Sequence, residues 1–313
     1  MNELVYGVVG TGAIGGFYGG ILADAGSEVH FLLHNDYEYV KANGLIIDSK
    51  VFGTIKIKKH FYNSTKKMPK CDVILVGLKT TQNHLLKDLL KPLLKRNSLV
   101  ILIQNGLGME EDLQQELPDV KIGGGVAYIA AYKEQPGVVV HQDMGTLMLA
   151  IYNETNDDAI RTFFITEDFT RTNKITCAFD YLNTMRWQKL VWNIPFNGLS
   201  VVLNEQTDTM IFDLNTRSLA KQLMEEVVRG AAKCRVRLPD SIVADSITLT
   251  EEMNPYSPSM KLDFNNHRPM EIKYMYERPV EIALKAGFRM SKVETLAKLL
   301  RAMEEKGISH LTA

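Results

Sequence analysis

The sequence has few cysteines, no long apolar run and no excess of charge of either sign. Its three cysteines, Cys71, Cys177 and Cys234, lie far apart among 313 residues, form no CxxC pair and are odd in number. This pattern argues against a secreted disulfide framework and against a zinc site, and it fits a reducing cytoplasm. We therefore expect no metal and no disulfide.

Charge and hydropathy exclude further classes of partner. There are 36 Lys and Arg against 37 Asp and Glu, so the net charge of −1 offers no general attraction to nucleic acid or to an anionic membrane. No apolar run approaches the about 18 residues of a spanning helix, and the first residues lack the regions of a signal peptide. The sequence predicts a soluble cytoplasmic protein with a small-molecule partner, and it leaves a homodimer open.

Strand-like and helix-like segments alternate in the first half of the chain. The predicted strands cover 4–9, 28–33, 72–78 and 99–103, and the helices cover 17–25, 83–94 and 109–117. This alternation predicts an α/β fold with a doubly wound parallel sheet. Three strand-like segments at 121–131, 138–142 and 146–152 should extend the sheet with antiparallel or mixed members.

From about Tyr181 onward the apolar residues repeat with a helical period. The length and the 45% hydrophobic content suggest two domains with full cores. We place the boundary near Ala178, so residues 1–178 form an α/β domain and residues 179–313 an all-α domain.

A glycine-rich turn, Gly10-Thr11-Gly12-Ala13-Ile14-Gly15, follows the first strand and opens the first helix. In a GxGxxG turn the first glycine permits a tight turn, the second lets the backbone approach phosphate, and the third lets helix and strand pack closely. The helix N-terminus then favours an anion. The position of the motif predicts dinucleotide binding, and the alternative is a purely structural turn.

The end of the second strand, Leu33-His34-Asn35-Asp36, bears on the choice of cofactor. An acidic residue there holds the ribose hydroxyls of NAD, whereas a basic residue accommodates the 2′-phosphate of NADP. His34 stands at about the discriminating position and Asp36 past the sugar, which favours NADP. The alternative is a solvated loop without a role.

Two later strand ends also carry candidates, because ligands of doubly wound sheets bind beyond the carboxyl ends of the strands. Lys79 could neutralise a phosphate or a carboxylate. Asn105, followed by a glycine, could place its amide against nicotinamide or substrate. Both residue types are also ordinary in loops.

A polar stripe runs along an otherwise apolar helix between Arg186 and Leu199. Lys189, Asn193 and Asn197 recur at intervals of four and so share one face, where buried polar groups need partners. One interpretation is a lysine at a domain edge with two structural asparagines. The other is a lysine that lines a cleft and gives its proton to a substrate oxygen.

Further on, Ser259 precedes Pro269, which should start a helix with Glu271 in its first turn. A carboxylate there could act in a site or only favour the helix dipole.

Taken together, these residues resemble the ketopantoate reductase (2-dehydropantoate 2-reductase) family over nearly the whole chain. The resemblance rests on the glycine turn, Leu78-Lys79, Gln104-Asn105-Gly106, the Lys189 stripe, and Ser259-Met260 with Glu271. It implies an N-terminal Rossmann domain, a C-terminal helical domain, a site in the cleft between them, and reduction of 2-dehydropantoate to (R)-pantoate by NADPH, for pantothenate and coenzyme A synthesis.

The resemblance also implies roles. Lys189 would be the general acid and Glu271 would orient substrate and lysine. Asn193 and Asn197 would hold the substrate hydroxyl, Ser259 its carboxylate, Asn105 would lie near nicotinamide and substrate, and Lys79 near the cofactor.

Three departures stand out: many members have arginine in place of His34, aspartate in place of Lys273, and a glycine near Glu277. The first weakens the NADP assignment, and the other two affect the helix after Glu271, which Pro279 should also kink.

Two other functions stay open. One is a related reductase of another 2-oxo acid or an imine, which would keep the glycine turn and Lys189. The other is a redox sensor that binds the dinucleotide without turnover, against which the presence of both Lys189 and Glu271 argues.

Overall fold

The computed structural model describes residues 4–155, 158–255 and 257–309 and divides the chain into two compact units. The first unit contains the residues up to Gln104 together with Met109–Leu182. The second contains Asn105–Gly108 and the chain from Asn183 onward. A four-residue loop from the first half of the sequence therefore belongs to the second unit.

The first unit is built on one mixed sheet of ten strands. In chain order the strands are β1 (Val5–Val9), β2 (Glu28–Leu32), β3 (Leu45–Ser49), β4 (Gly53–Ile57), β5 (Phe61–Tyr62), β6 (Cys71–Val76), β7 (Leu94–Leu102), β8 (Lys121–Gln135), β9 (Val138–Ile151) and β10 (Cys177–Phe179). They lie in the order β4-β3-β9-β8-β7-β6-β1-β2-β5, and β10 pairs with β9.

Six neighbouring strands of the sheet, in the order β5-β2-β1-β6-β7-β8, pair in parallel. The β8–β9 and β3–β4 pairs are antiparallel. The predictions of a parallel sheet and of antiparallel members after Pro118 are both confirmed. The carboxyl ends of β1, β2, β6 and β7 meet at one edge of the sheet, which is where a doubly wound sheet binds its ligands.

Within the described residues, five α-helices accompany the sheet: α1 (Ala13–Asp24), α2 (Tyr37–Asn43), α3 (Leu86–Leu90), α4 (Met109–Glu116) and α5 (Ala159–Thr170). The core of the first unit lies between α1 and the strands, where Phe17, Ile21 and Phe31 are fully buried. Burial of this apolar face, at about 25 cal/mol for each Å², is the main force that holds α1 on the sheet.

Two local predictions for the first unit differ from the structure, and six of its elements were not predicted. The helix expected at 83–94 is a 3-10 turn at Thr80–Leu85, then α3, then a 3-10 turn at Lys91–Leu93 that contains Pro92. Pro92 has no N–H, so it cannot donate the hydrogen bond that an α-helix over 83–94 would require at that position. The strands expected at 138–142 and 146–152 are one strand, because Met144 and Gly145 adopt positive φ angles of 63° and 133° inside an irregular ladder. The elements that were not predicted are strands β3, β4, β5 and β10 and the helices at Tyr37–Asn43 and Ala159–Thr170.

The second unit is helical, as predicted. Its helices are α6 (Leu182–Leu203), α7 (Thr207–Phe212), α8 (Leu214–Lys233), α9 (Ile242–Glu252), α10 (Ser259–Asn265), α11 (Arg278–Lys285) and α12 (Ser291–Ser309). Its core includes Trp187, Ile194 and Phe196 of α6 and Tyr276, all at most 1% exposed. Of the helices that the structure describes, none is long and apolar enough to cross a membrane.

Candidate active site

The glycine turn joins β1 to α1 and is closed by steric contacts. Gly10 has a φ of +92°, and a Cβ on it would lie 2.4 Å from the backbone nitrogen of Leu78. A Cβ on Gly15 would lie 2.3 Å from the carbonyl oxygen of Gly10. These two glycines therefore allow the turn and the close packing of α1, as the motif predicts.

Gly12 is different, because a Cβ on it would meet nothing within 4 Å. It occupies the N-cap position of α1 with extended backbone, it has no side chain with which to cap the helix, and the first turn contains no acidic residue. The first N–H groups of the 12-residue helix α1 have no acceptor within the helix, because intrahelical hydrogen bonds begin only with the Gly16 N–H. This donor set fits the pyrophosphate of a dinucleotide.

After the end of β2, His34 lies at the surface and Asp36 is buried. The Thr11 hydroxyl donates to the Leu32 carbonyl oxygen at 2.7 Å and so links the glycine turn to β2. His34 is exposed. Asp36 is 8% exposed, and its carboxylate accepts hydrogen bonds from Lys133 Nζ at 2.5 Å and from the Gly137 N–H at 3.3 Å. The acidic side chain near this strand end is thus already engaged by protein donors.

The ends of β6 and β7 are joined by a side chain. Gln104 Nε2 donates to the Leu78 carbonyl oxygen and to Asn83 Oδ1, both at 2.7 Å. Lys79 lies between these partners, partly accessible, directly before the 3-10 turn that begins at Thr80. The hydrogen bonds of Gln104 fix the backbone on which Lys79 is carried.

The predicted polar stripe lies on one face of α6. Lys189 is partly accessible, and burial of its ammonium group lowers its pKa from 10.5 to about 8. Burial has this effect because a charged amine loses hydration. Asn193 and Asn197 are 3% and 2% exposed, and Pro195 lies inside the helix between them.

Both asparagines have partners within the second unit. Asn193 Nδ2 donates to Asn105 Oδ1 at 3.4 Å. Asn197 Oδ1 accepts hydrogen bonds from the Met260 N–H at 3.1 Å and from the Ser259 hydroxyl at 3.4 Å, at the start of α10. The structure therefore connects four of the predicted residues, Asn105 with Asn193 and Ser259 with Asn197.

Glu271 is 4% exposed and precedes the helical residues that begin at 272, rather than lying in their first turn as predicted. Its carbonyl oxygen accepts the Met275 N–H at 3.2 Å. The preceding N–H, that of Met270, donates to Glu304 Oε1 at 2.7 Å. A π-helical segment, Lys273–Glu277, follows and leads into α11, so the kink expected at Pro279 takes the form of a wider helical turn before it.

Sequence reasoning missed Gly77 and Tyr274 and named Met260 only as part of the family resemblance. A Cβ on Gly77 would lie 2.6 Å from the Gly15 backbone nitrogen, so this glycine also shapes the dinucleotide turn. Its signal was a glycine directly after a buried strand. Met260 contributes its backbone N–H to Asn197, and Tyr274 contributes its carbonyl oxygen, which accepts the Leu107 N–H at 2.9 Å. No residue type gives a signal for such backbone contacts. Within the described ranges no group of three or more His, Cys, Asp or Glu is placed to hold a metal ion.

Comparison with known proteins matches both units. The model of the family "Ketopantoate reductase PanE/ApbA" matches residues 6–154, and that of its C-terminal part matches residues 182–304. A 2-dehydropantoate 2-reductase from Nostoc sp. is 41% identical over 97% of this chain and 96% of its own.

Solved structures agree with this result. The 2-dehydropantoate 2-reductase of Geobacter metallireducens GS-15 has a TM-score of 0.90 and 34% identity over 96% of this chain and 99% of its own. A D-mandelate dehydrogenase solved with NADH and anilino(oxo)acetate has a TM-score of 0.85 over 97% of this chain and 99% of its own, but at 20% identity it shows the fold alone.

Proposed function

Because the chain belongs to the ketopantoate reductase family, we propose that it reduces 2-dehydropantoate to (R)-pantoate with NADPH as the reductant. The observation that carries this proposal is Lys189, a partly accessible lysine with a pKa of about 8 on a helix face shared with two buried asparagines. A lysine in such an environment gives up its proton more readily than a solvated one.

NADPH, when bound, supplies a hydride to the C2 carbonyl carbon of the substrate. Lys189 then donates its proton to the carbonyl oxygen, on which negative charge develops, and its ammonium group stabilises that charge before the transfer. At neutral pH a group with a pKa of about 8 is mostly protonated, as this role requires. The products are the alcohol and a neutral amine, which takes a proton from solvent before the next turnover.

Glu271 supports the lysine in this proposal. Its side chain is almost fully buried, and the backbone on either side of it is held by the Met270–Glu304 and Met275–Glu271 hydrogen bonds. A carboxylate held in this way can accept a hydrogen bond from a substrate hydroxyl or from an ammonium group without reorganising. We propose that Glu271 orients the substrate and Lys189.

The remaining polar groups would hold the substrate. Asn193 and Asn197 would bind its hydroxyl end, Ser259 its carboxylate, and Asn105 the region near nicotinamide. The hydrogen bonds between Asn105 and Asn193, and between Ser259 and Asn197, support this division because they fix the side chains in pairs. Preorganised donors cost less to immobilise when a ligand binds.

For the cofactor, the glycine turn from Gly10 to Gly15 would bind the pyrophosphate and His34 the 2′-phosphate. Lys79 and Asn105 would lie farther along the dinucleotide. The Asp36 carboxylate accepts hydrogen bonds from Lys133 and Gly137, and this supports NADP over NAD. A carboxylate without such partners would repel the 2′-phosphate of NADP and favour the ribose hydroxyls of NAD. NADH is the alternative cofactor and another 2-oxo acid the alternative substrate.

A steady-state assay with 2-dehydropantoate tests substrate and cofactor together. We expect the largest kcat/KM with 2-dehydropantoate and NADPH among a panel of 2-oxo acids and an imine, each assayed with NADPH and NADH. Equal rates across the 2-oxo acids would overturn the substrate assignment. Equal rates with NADH would overturn the cofactor assignment, and dinucleotide binding without any turnover would favour a redox sensor. Light scattering of the same sample measures whether the enzyme is a homodimer.

A further inference from the structure

The π-helical segment Lys273–Glu277 changes the hydrogen-bond register of the helix that follows Glu271. The Arg278 N–H donates to the Lys273 carbonyl oxygen, five residues back, instead of to Tyr274 as in an α-helix. Single π turns of this kind are rare and often occur at functional sites.

Pro279 determines where the Tyr274 carbonyl is directed. In the π register the next donor, to Tyr274, would be residue 279, but a proline has no N–H. The Tyr274 carbonyl oxygen instead accepts the Leu107 N–H at 2.9 Å. The π turn and Pro279 together therefore present a backbone acceptor to the Asn105–Gly108 loop.

The loop is shaped to reach that acceptor. Gly106 has a φ of +113°, and a Cβ on it would lie 2.5 Å from the Tyr274 carbonyl oxygen. Only glycine combines this backbone angle with this approach. Asn105, the residue before Gly106, accepts the hydrogen bond from Asn193, so the Leu107 anchor lies two residues from a proposed substrate-binding amide.

The π turn is itself held on two sides. The Tyr276 hydroxyl, fully buried, donates to the Ile194 carbonyl oxygen of α6 at 3.0 Å. The Arg301 guanidinium binds both carboxylate oxygens of Glu277 at 2.8 Å. A two-point contact of this kind fixes geometry as well as charge. The acceptor offered to Leu107 thus stands on a rigid support.

From these contacts we propose that Pro279 and Gly106 are positioning residues that set substrate affinity through Asn105, without touching substrate. The proposal rests on the proposed function for the role of Asn105. The Leu107–Tyr274 hydrogen bond keeps the loop against the π turn, and Asn105 is thereby kept beside Asn193. An N–H introduced at position 279 would compete for the Tyr274 carbonyl and release the loop.

Pro279→Ala tests the anchor directly. We expect faster hydrogen–deuterium exchange at the Leu107 amide and a 2-oxo acid KM raised about 2- to 10-fold, the effect of one hydrogen bond. Pro239→Ala, at an exposed proline of the same unit, is the matched control and should change neither quantity. Unchanged exchange at Leu107 in Pro279→Ala would overturn the proposal.

A double-mutant cycle separates positioning from a general loss of packing. In an Asn105→Ala background, Pro279→Ala should raise KM no further, because the side chain through which it acts is gone. An equal increase in both backgrounds would contradict the proposal. Gly106→Ala reaches the same contact from the loop and should speed exchange at Leu107 and raise KM at least as much as Pro279→Ala. If the wild-type protein turns over no 2-oxo acid, the proposed function fails, whereas the exchange experiment still decides whether Pro279 secures the loop.

Discussion

Gly77 lies so close to Gly15 that a Cβ on Gly77 would stand 2.6 Å from the Gly15 backbone nitrogen. The dinucleotide turn is thus enclosed by a third chain segment, the end of β6, in addition to β1 and α1. The glycines of this turn therefore fall into two groups. A Cβ on Gly10, Gly15 or Gly77 would clash with protein atoms, whereas a Cβ on Gly12 would meet none within 4 Å. This division leads to the first prediction.

Gly12→Ala should fold normally but bind the cofactor poorly. Its backbone is extended and a Cβ meets no protein atom, whereas a phosphate oxygen would meet it. We expect the Kd of NADPH to rise about 10-fold or more. Fluorescence titration and a thermal melt measure the two effects, and an unchanged Kd would contradict the assignment of Gly12.

The matched variant Gly15→Ala should show the opposite order of effects. A Cβ 2.3 Å from the Gly10 carbonyl oxygen forces the backbone to move, at a cost of about 1 to 3 kcal/mol. Its melting temperature should fall by several degrees even without cofactor. A melt identical to that of Gly12→Ala would show that the two positions are not distinguished by packing.

Lys189→Ala should lower kcat for reduction by about 100-fold or more, because a positioned acid is lost. The Kd of NADPH should stay the same. Lys285→Ala, at an exposed lysine of the same unit, is the control and should keep full activity. Unchanged turnover in Lys189→Ala would exclude the proposed role.

The pH dependence should have opposite signs in the two directions. The pKa of Lys189 is lowered to about 8, so the protonated acid is present below that pH and is lost as pH rises through it. Reduction should therefore decline above pH 8, and oxidation of pantoate, which needs the neutral amine, should increase over the same range. Rate profiles from pH 6 to 10 check this, and parallel profiles would contradict it.

His34→Ala should raise the Kd of NADPH about 10-fold and leave the Kd of NADH unchanged. Only NADPH carries the 2′-phosphate that a charge-assisted hydrogen bond from His34 would hold. His34→Arg should lower the Kd of NADPH. His267→Ala, an exposed histidine of the second unit, is the control. Equal weakening of both cofactors would mean that His34 does not distinguish them.

The sequence by itself determined the features that depend on local periodicity and local backbone geometry. The strand, glycine turn and helix from Val5 to Asp24 are specified within a short stretch, because the glycines and the change of apolar period occur in it. The i, i+4, i+8 spacing likewise placed Lys189, Asn193 and Asn197 on one helix face. The doubly wound sheet and the helical second half followed from the same kind of signal.

Only the tertiary structure decided which residues meet across long separations. The Asn105–Asn193 hydrogen bond joins residues 88 positions apart, and the grouping of Asn105–Gly108 with the second unit has no local signal. The single strand β9 takes up positive φ angles that a local pattern assigns to a turn. The Tyr274 carbonyl is directed to Leu107 by a π turn and by a missing N–H at Pro279, and the choice of that partner depends on a loop distant in the chain. Contacts of this kind depend on the packing of the whole unit. The residue types and spacing within one segment do not specify them.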